Sequence, residues 1–355
     1  MKNRFIKVLA PYVCLFAAAT FILSGCSLWT AGVDQAGGPL VIKVEDFSVF
    51  LFESSEEIYR ANVKDQAMWA GLKEKAISDA EYAVHYNWLY NSYGGWDEHR
   101  RAQLKTILAN YDAQYMIECL IQDGKQGASF DEIVKFIREE RCFRNQRDLL
   151  LDFYSWYGAN YALPHYEQIK PLLQRKVDKT MSIVDKSFDI VGFIEKETGI
   201  QQKKKQRNVE LQLNMRIIGM SVFSRNKDTI TTVQWNKTPE KIWTAVFNEF
   251  SAPIYETFTD GWSFKYLARK LKKDEKLAAR YEEDIPYTWE GWVKENLTEG
   301  FARYLIVRKG ITKDLGEGSY VFDREYAQAL VSSFNPQKTS LKEFTVNYLK
   351  KTYDI

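Results

Sequence analysis

Four glutamates in the last third of the chain have the type and spacing for chemistry. Glu249 lies in Phe247-Asn248-Glu249-Phe250-Ser251-Ala252-Pro253, with Glu256 two helical turns on, and Glu295 and Glu299 stand one turn apart in a later segment. Carboxylates brought together in this way can hold a hard cation such as Ca²⁺ or divide acid and base roles on a glycosidic bond. The same residues can also simply be solvated or ion-paired. The three histidines, His85, His99 and His165, are far apart in sequence, so no helical turn carries a metal-binding pair. Each reads as structural, and His165, following Pro164 at a helix start, reads as a surface or capping residue. No serine or cysteine sits in a nucleophile motif with a histidine. Cys119 and Cys142 lie near the ends of two helical segments joined by a Gly-rich turn, where a disulfide or two free buried thiols are both open.

The elements that must position these groups follow from periodicity. Rough alternation over 41–52 reads as a strand, and helical spacing covers about 65–91, 98–122, 129–141 and 146–157. Ser129 with Glu132 forms a capping box. From about 208 to 235 the period falls to two, with 224–228 as the turn of a hairpin. Thr238-Pro239-Glu240 then opens a helix, with Thr as N-cap and Pro at the first helical position. Its apolar face (Ile242, Trp243, Val246, Phe247, Phe250, Ile254, Phe258) makes it a buried helix, and Pro253 should bend it. Helices follow over 262–280, interrupted near Lys273-Asp274, over 289–307 with Gly310 as the stop, and over 323–333 and 338–350. The expected class is α+β: mostly helical, with a small antiparallel sheet ahead of the buried helix.

A strand hairpin, a capped buried helix and a later helix with Glu299-Gly300-Phe301-Ala302-Arg303-Tyr304 together resemble the gluzincin metallopeptidases. In that family the first helix carries His-Glu-x-x-His, whose histidines share one Zn²⁺ while the glutamate acts as general base. A downstream Glu-Gly-x-Ala, with a tyrosine two residues later, supplies the third ligand. The resemblance puts Glu249 on the base position, and Glu299, Gly300, Ala302 and Tyr304 on the downstream motif, with Glu295 as a competing third ligand. It also puts Asn248 and Ala252 on the two histidine positions. Alanine has no donor atom and an amide oxygen is a poor zinc ligand, so zinc is the ancestral metal and no cofactor is expected. The likeness spans about 212–307, under a third of the chain.

The N-terminus gives the location. Lys2, Arg4 and Lys7 precede an apolar run to Leu23, a signal peptide over 1–25 rather than a spanning helix. Leu23-Ser24-Gly25-Cys26 resembles the lipobox of bacterial lipoproteins, which implies acylation of Cys26, and Ser27 in the next position implies outer-membrane sorting. Residues 26–39, with Gly32, Gly37, Gly38 and Pro39, read as a flexible tether. Without the three basic residues of the signal the formal charge moves from +2 to about −1, which argues against a nucleic-acid partner. The basic run at 203–207 reads as a solvated turn.

The sequence therefore divides into signal 1–25, tether 26–39, a mainly helical region 40–200 and a gluzincin-like region 201–355. The expected protein is lipid-anchored in the cell envelope, facing periplasm or cell surface. It is a non-catalytic binding or scaffolding protein for a polypeptide or envelope protein. Two alternatives stand beside it: an envelope hydrolase using Glu249 with an unusual metal, and a purely structural lipoprotein of an envelope assembly.

Overall fold

In the computed structural model, residues 40–355 are described except 186, 202–208, 217–221, 226–227, 235 and 284–287. The expected signal peptide, Cys26, the expected tether, the basic run at 203–207 and the tip of the hairpin lie outside the described residues. Gly38–Ile355 forms one compact unit.

Strand β1 (Leu40–Val44) leads directly into helix α1 (Phe47–Tyr59). The expected strand over 41–52 is thus corrected: only its first residues are extended. Val49, Leu51 and Phe52 are each 0% exposed, so α1 is buried on several sides at once. A short apolar run of this kind does not distinguish a strand from a fully buried helix. A π-helical turn (Arg60–Lys64) follows, and then α2 (Gln66–Ile77), α3 (Ala80–Gly95), α4 (Glu98–Leu108), α5 (Ala113–Gln122) and α6 (Phe130–Glu139). Aspartates break what periodicity had joined. Asp79 accepts from the backbone N–H groups of Glu81 and Tyr82, and Asp112 from that of Tyr115, so each starts a new helix. The capping box at Ser129 and Glu132 forms as expected.

Helix α7 (Arg147–Tyr157) passes through a second π-helical turn (Gly158–Ala162) into α8 (Leu163–Ser182), and α9 (Ile190–Thr198) follows. Then come β2 (Val209–Asn214), β3 (Val222–Arg225) and β4 (Asp228–Gln234). The C-terminal part comprises α10 (Pro239–Thr259), α11 (Trp262–Leu271), α12 (Glu275–Glu283), α13 (Trp289–Lys309), α14 (Asp323–Ser333) and α15 (Leu341–Tyr353). No helix among the described residues is long and apolar enough to cross a membrane.

The class is α+β and mostly helical, but the antiparallel sheet is corrected. Its strand order is β1-β2-β4-β3, with β1, β2 and β4 mutually parallel and only β3 running antiparallel, against β4. The hairpin was a local signal and forms, though its strands run closer to the tip than the turn read at 224–228, with Arg225 paired to Asp228. The parallel pairing joins Leu40 to Val209 across the first nine helices, and no local pattern announces such a partner. Strand β2 is covered on both faces, as parallel strands usually are. Its apolar residues Val209, Leu211 and Leu213 are buried, and so are Gln212 and Asn214. Those two amides are satisfied by acids just before and within α1: Gln212 by Asp46, and Asn214 by Glu45 and Glu53.

Candidate functional site

Helix α10 starts as its sequence directs, with the Thr238 hydroxyl accepting from the Lys241 N–H at 3.4 Å and Pro239 in the first turn. Ile242, Val246, Phe247 and Phe250 are 0% exposed and pin one face to the core. That leaves Asn248, Glu249 and Ala252 half-buried on the side toward α13, which packs alongside. The helix runs on through Pro253, whose ring nitrogen cannot return a hydrogen bond to the Glu249 carbonyl.

The two helices meet through their polar residues. Asn248 Nδ2 donates to Glu299 Oε2 at 3.0 Å. The other oxygen, Oε1, accepts from Arg303 Nη2 at 3.0 Å and from Ser319 Oγ at 3.1 Å. Arg303 is itself fully engaged: Nε donates to Asp323 Oδ2 at 2.9 Å and Nη1 to the Leu315 carbonyl at 2.6 Å. Asp323 is 0% exposed and Arg303 7%, so this is a buried ion network in which every charge has a partner. It also fastens the segment between α13 and α14, because Asn296 Oδ1 accepts the N–H groups of Val321 and Phe322.

Glu249 is the group left for proton chemistry. Burial pushes its pKa up to about 7; Thr231 on β4 pulls it down and the Glu295 carboxylate adds to the rise. Burial also raises Glu295, with Lys294 opposing and Glu299 and Glu256 adding. Glu256 faces solvent and pairs with Lys294 Nζ at 3.3 Å, so it stands outside the buried group. Three carboxylates, Glu249, Glu295 and Glu299, therefore share one electrostatic neighbourhood, and only Glu299 has an arginine.

No family model, curated protein or solved structure matches this chain. The site is therefore judged on its own chemistry. Zinc does not fit the residues present. Ala252 offers no donor, Asn248 turns its N–H toward Glu299, and both Glu299 oxygens are already bonded, one of them to a guanidinium. Among the described residues, no three His, Cys, Asp or Glu side chains are grouped to hold a metal ion.

Two residues of the downstream motif have other work. The side of Gly300 where a Cβ would stand faces α14 rather than α10. That Cβ would lie 2.5 Å from the Asp323 carbonyl oxygen and 2.9 Å from Tyr326 Cδ1. Tyr304 donates to Glu197 Oε2 at 2.6 Å, on α9, where Arg308 Nε also binds at 3.0 Å. Cys119 and Cys142 are free thiols, both half-buried and side by side.

Sequence reasoning missed Arg303, Ser319 and Asp323. Glu299 and Arg303 at a spacing of four were a legible ion-pair signal, while Asp323 and Ser319 arrive only through the fold of the intervening segment. It also misplaced His165, which is 3% exposed rather than superficial and touches His85.

Proposed function

We propose that this chain is an envelope lipoprotein, lipid-anchored through Cys26, with a gluzincin-like α10–α13 pair turned from zinc chemistry to binding or scaffolding. Its partner would be a polypeptide or another envelope protein. The observation that carries this reading is the Asn248–Glu299 hydrogen bond. It joins the first-histidine and third-ligand positions of the gluzincin pattern across two helices, and it occupies the carboxylate oxygen a metal would need. Glu249, next to Asn248 on the same helix, is half-buried and interacts with Glu295 one turn before Glu299, which is compatible with that pattern.

Restoring both histidines tests the ancestry. The Asn248→His, Ala252→His double variant should take up about one zinc per chain, measured by elemental analysis after dialysis, whereas the natural protein should not. A double variant that folds and gains no zinc affinity would remove the gluzincin reading. Stoichiometric metal in the natural protein would overturn the non-catalytic one. For the anchor, Cys26→Ser should move the protein from the membrane fraction to the soluble fraction.

The hydrolase alternative draws on the placement of Glu249 near the Glu295 carboxylate, where burial pushes its pKa up to about 7. A carboxyl group poised near neutrality beside a second carboxylate suits general acid–base catalysis. An activity of that kind would be abolished by Glu249→Gln without loss of fold.

A further inference from the structure

Helix α11 has two unlike sides. Phe264, Leu267, Ala268 and Leu271 are buried and hold it against α10 and α13. Trp262 and Tyr266, one turn apart on the opposite side, are 76% and 51% exposed. No other large apolar side chain among the described residues is as open as Trp262. The two rings stack, with centres 5.6 Å apart and planes 14° from parallel, and so present one flat apolar plate.

Cations surround the plate. Residues 262–273 contain five basic side chains and no acid. At about 3.6 residues per turn, Lys265 falls on one side of the Trp262–Tyr266 line and Lys270 on the other. Lys270 Nζ stands 5.2 Å from the Tyr266 ring centre, and Lys273 is exposed just beyond the helix. Among the acids close in sequence, Asp274 accepts the N–H groups of Lys276 and Leu277, while Asp260 and Glu275 stand at the two ends of the segment. Glu290 answers Arg269 at 3.4 Å. Exposed aromatic rings set among lysines are the composition of a helix that lies on a bilayer: Trp and Tyr settle at headgroup level, and the cations draw anionic lipid.

Chain length supports the same occupant. The 13 residues of 27–39 reach at most roughly 45 Å when fully extended. That is close to the width of a compact unit of this size, about 50 Å. A surface tied so near a bilayer meets it at an effective concentration of millimolar order, so a contact too weak to hold a free protein becomes occupied once an anchor is in place.

We propose that the Trp262–Tyr266 plate of α11, with Lys265, Arg269, Lys270 and Lys273, is a contact surface for an anionic phospholipid bilayer, laid on the membrane that anchors Cys26. Proximity to that membrane rests on the lipoprotein reading; the surface itself is independent of it and of the α10–α13 pair.

The test uses the chain from Ser27, which lacks the signal and the acylated cysteine but keeps the whole compact unit Gly38–Ile355. It should co-sediment with phosphatidylglycerol vesicles at about millimolar lipid, at least about tenfold more tightly than with phosphatidylcholine vesicles, and lose that preference in about 1 M salt. Trp262→Ala with Tyr266→Ala, and separately Lys265→Glu with Lys273→Glu, should each weaken binding about tenfold or more without moving the urea midpoint, since all four side chains are exposed. The proposal fails if the parent chain does not bind phosphatidylglycerol at about 10 mM lipid, or if the aromatic variant binds as tightly as the parent. A lipid-free dimer that the aromatic variant abolishes would assign the plate to a second copy of the chain instead. Mass analysis of the N-terminal peptide of the natural protein tests the anchor separately. Acylated Cys26 without vesicle binding by the Ser27 chain overturns this surface alone, and vesicle binding with unmodified Cys26 supports the surface and overturns the anchor.

Discussion

Asn248 on α10 and Glu299 on α13, 51 residues apart in sequence, are joined by one hydrogen bond of 3.0 Å. Behind it, Arg303 ties the same carboxylate to Asp323, so the helix pair and the segment leading to α14 depend on one guanidinium.

Removing that guanidinium should be costly. Arg303→Met would leave Asp323, at 0% exposure, and Glu299 with no cation between them. Breaking a buried pair from one side costs about 3–5 kcal/mol. Urea unfolding should show a loss of that size, and a loss below about 1 kcal/mol would mean the network is dispensable.

Glu249 predicts a pH effect of definite sign. Its folded pKa of about 7 lies above its ordinary carboxyl value of 4.5, so the folded chain holds this proton more tightly than the unfolded chain. Stability should therefore fall as pH rises from about 4.5 to about 7, at up to ~1.4 kcal/mol per pH unit. Glu249→Gln should melt higher than the natural protein at pH 8 and together with it near pH 4. Equal melting temperatures at pH 8 would contradict a raised Glu249 pKa in the folded chain.

Gly300 and Gly71 make a paired test. A methyl at Gly300 would meet the Asp323 carbonyl oxygen at 2.5 Å, whereas one at Gly71 on α2 meets nothing within 4 Å. Gly300→Ala should destabilise by about 1–3 kcal/mol through overpacking. Gly71→Ala should stabilise by about 0.4–1 kcal/mol by restricting the unfolded chain. Thermal melts of the two variants should move in opposite directions.

The thiols of Cys119 and Cys142 are both pushed up by burial, so little thiolate forms at neutral pH. Alkylation of the folded protein should be slow at pH 7.5 and fast once it is unfolded. Diamide should join the pair within one chain, and closing that loop should add about 3 kcal/mol. Failure to form an intramolecular bridge would show that the native backbone holds the two apart.

Much of the α10–α13 pair was legible in advance. The Thr238 cap, the apolar stripe and the Gly310 stop are local signals, and Gly310 does end α13 with φ 79°. The interruption near Lys273-Asp274 separates α11 from α12 as read. What stayed hidden was tertiary. Period-two alternation in β2 gave the strand but not its parallel neighbours, because a crossover through nine helices leaves no mark at either end. His85 and His165 looked isolated because sequence spacing measures proximity along one helix, and their contact crosses from α3 to α8. Asp79 and Asp112 could have been read as caps, since each precedes a run of helical residues.

The placement of β1 constrains the order in which this chain can be finished. Its partner β2 is made only after α1–α9 have emerged, so until then β1 has no strand on either edge. Helix α1 waits as well: Glu45 just before it and Glu53 within it need Asn214 and Arg216 from the end of the same late strand and the residues just beyond it. Synthesis must therefore pass β2 before β1 and the acids beside it find their partners. A chain released near residue 200 would carry a bare strand and unneutralised buried acids, and would be a substrate for proteolysis rather than a domain.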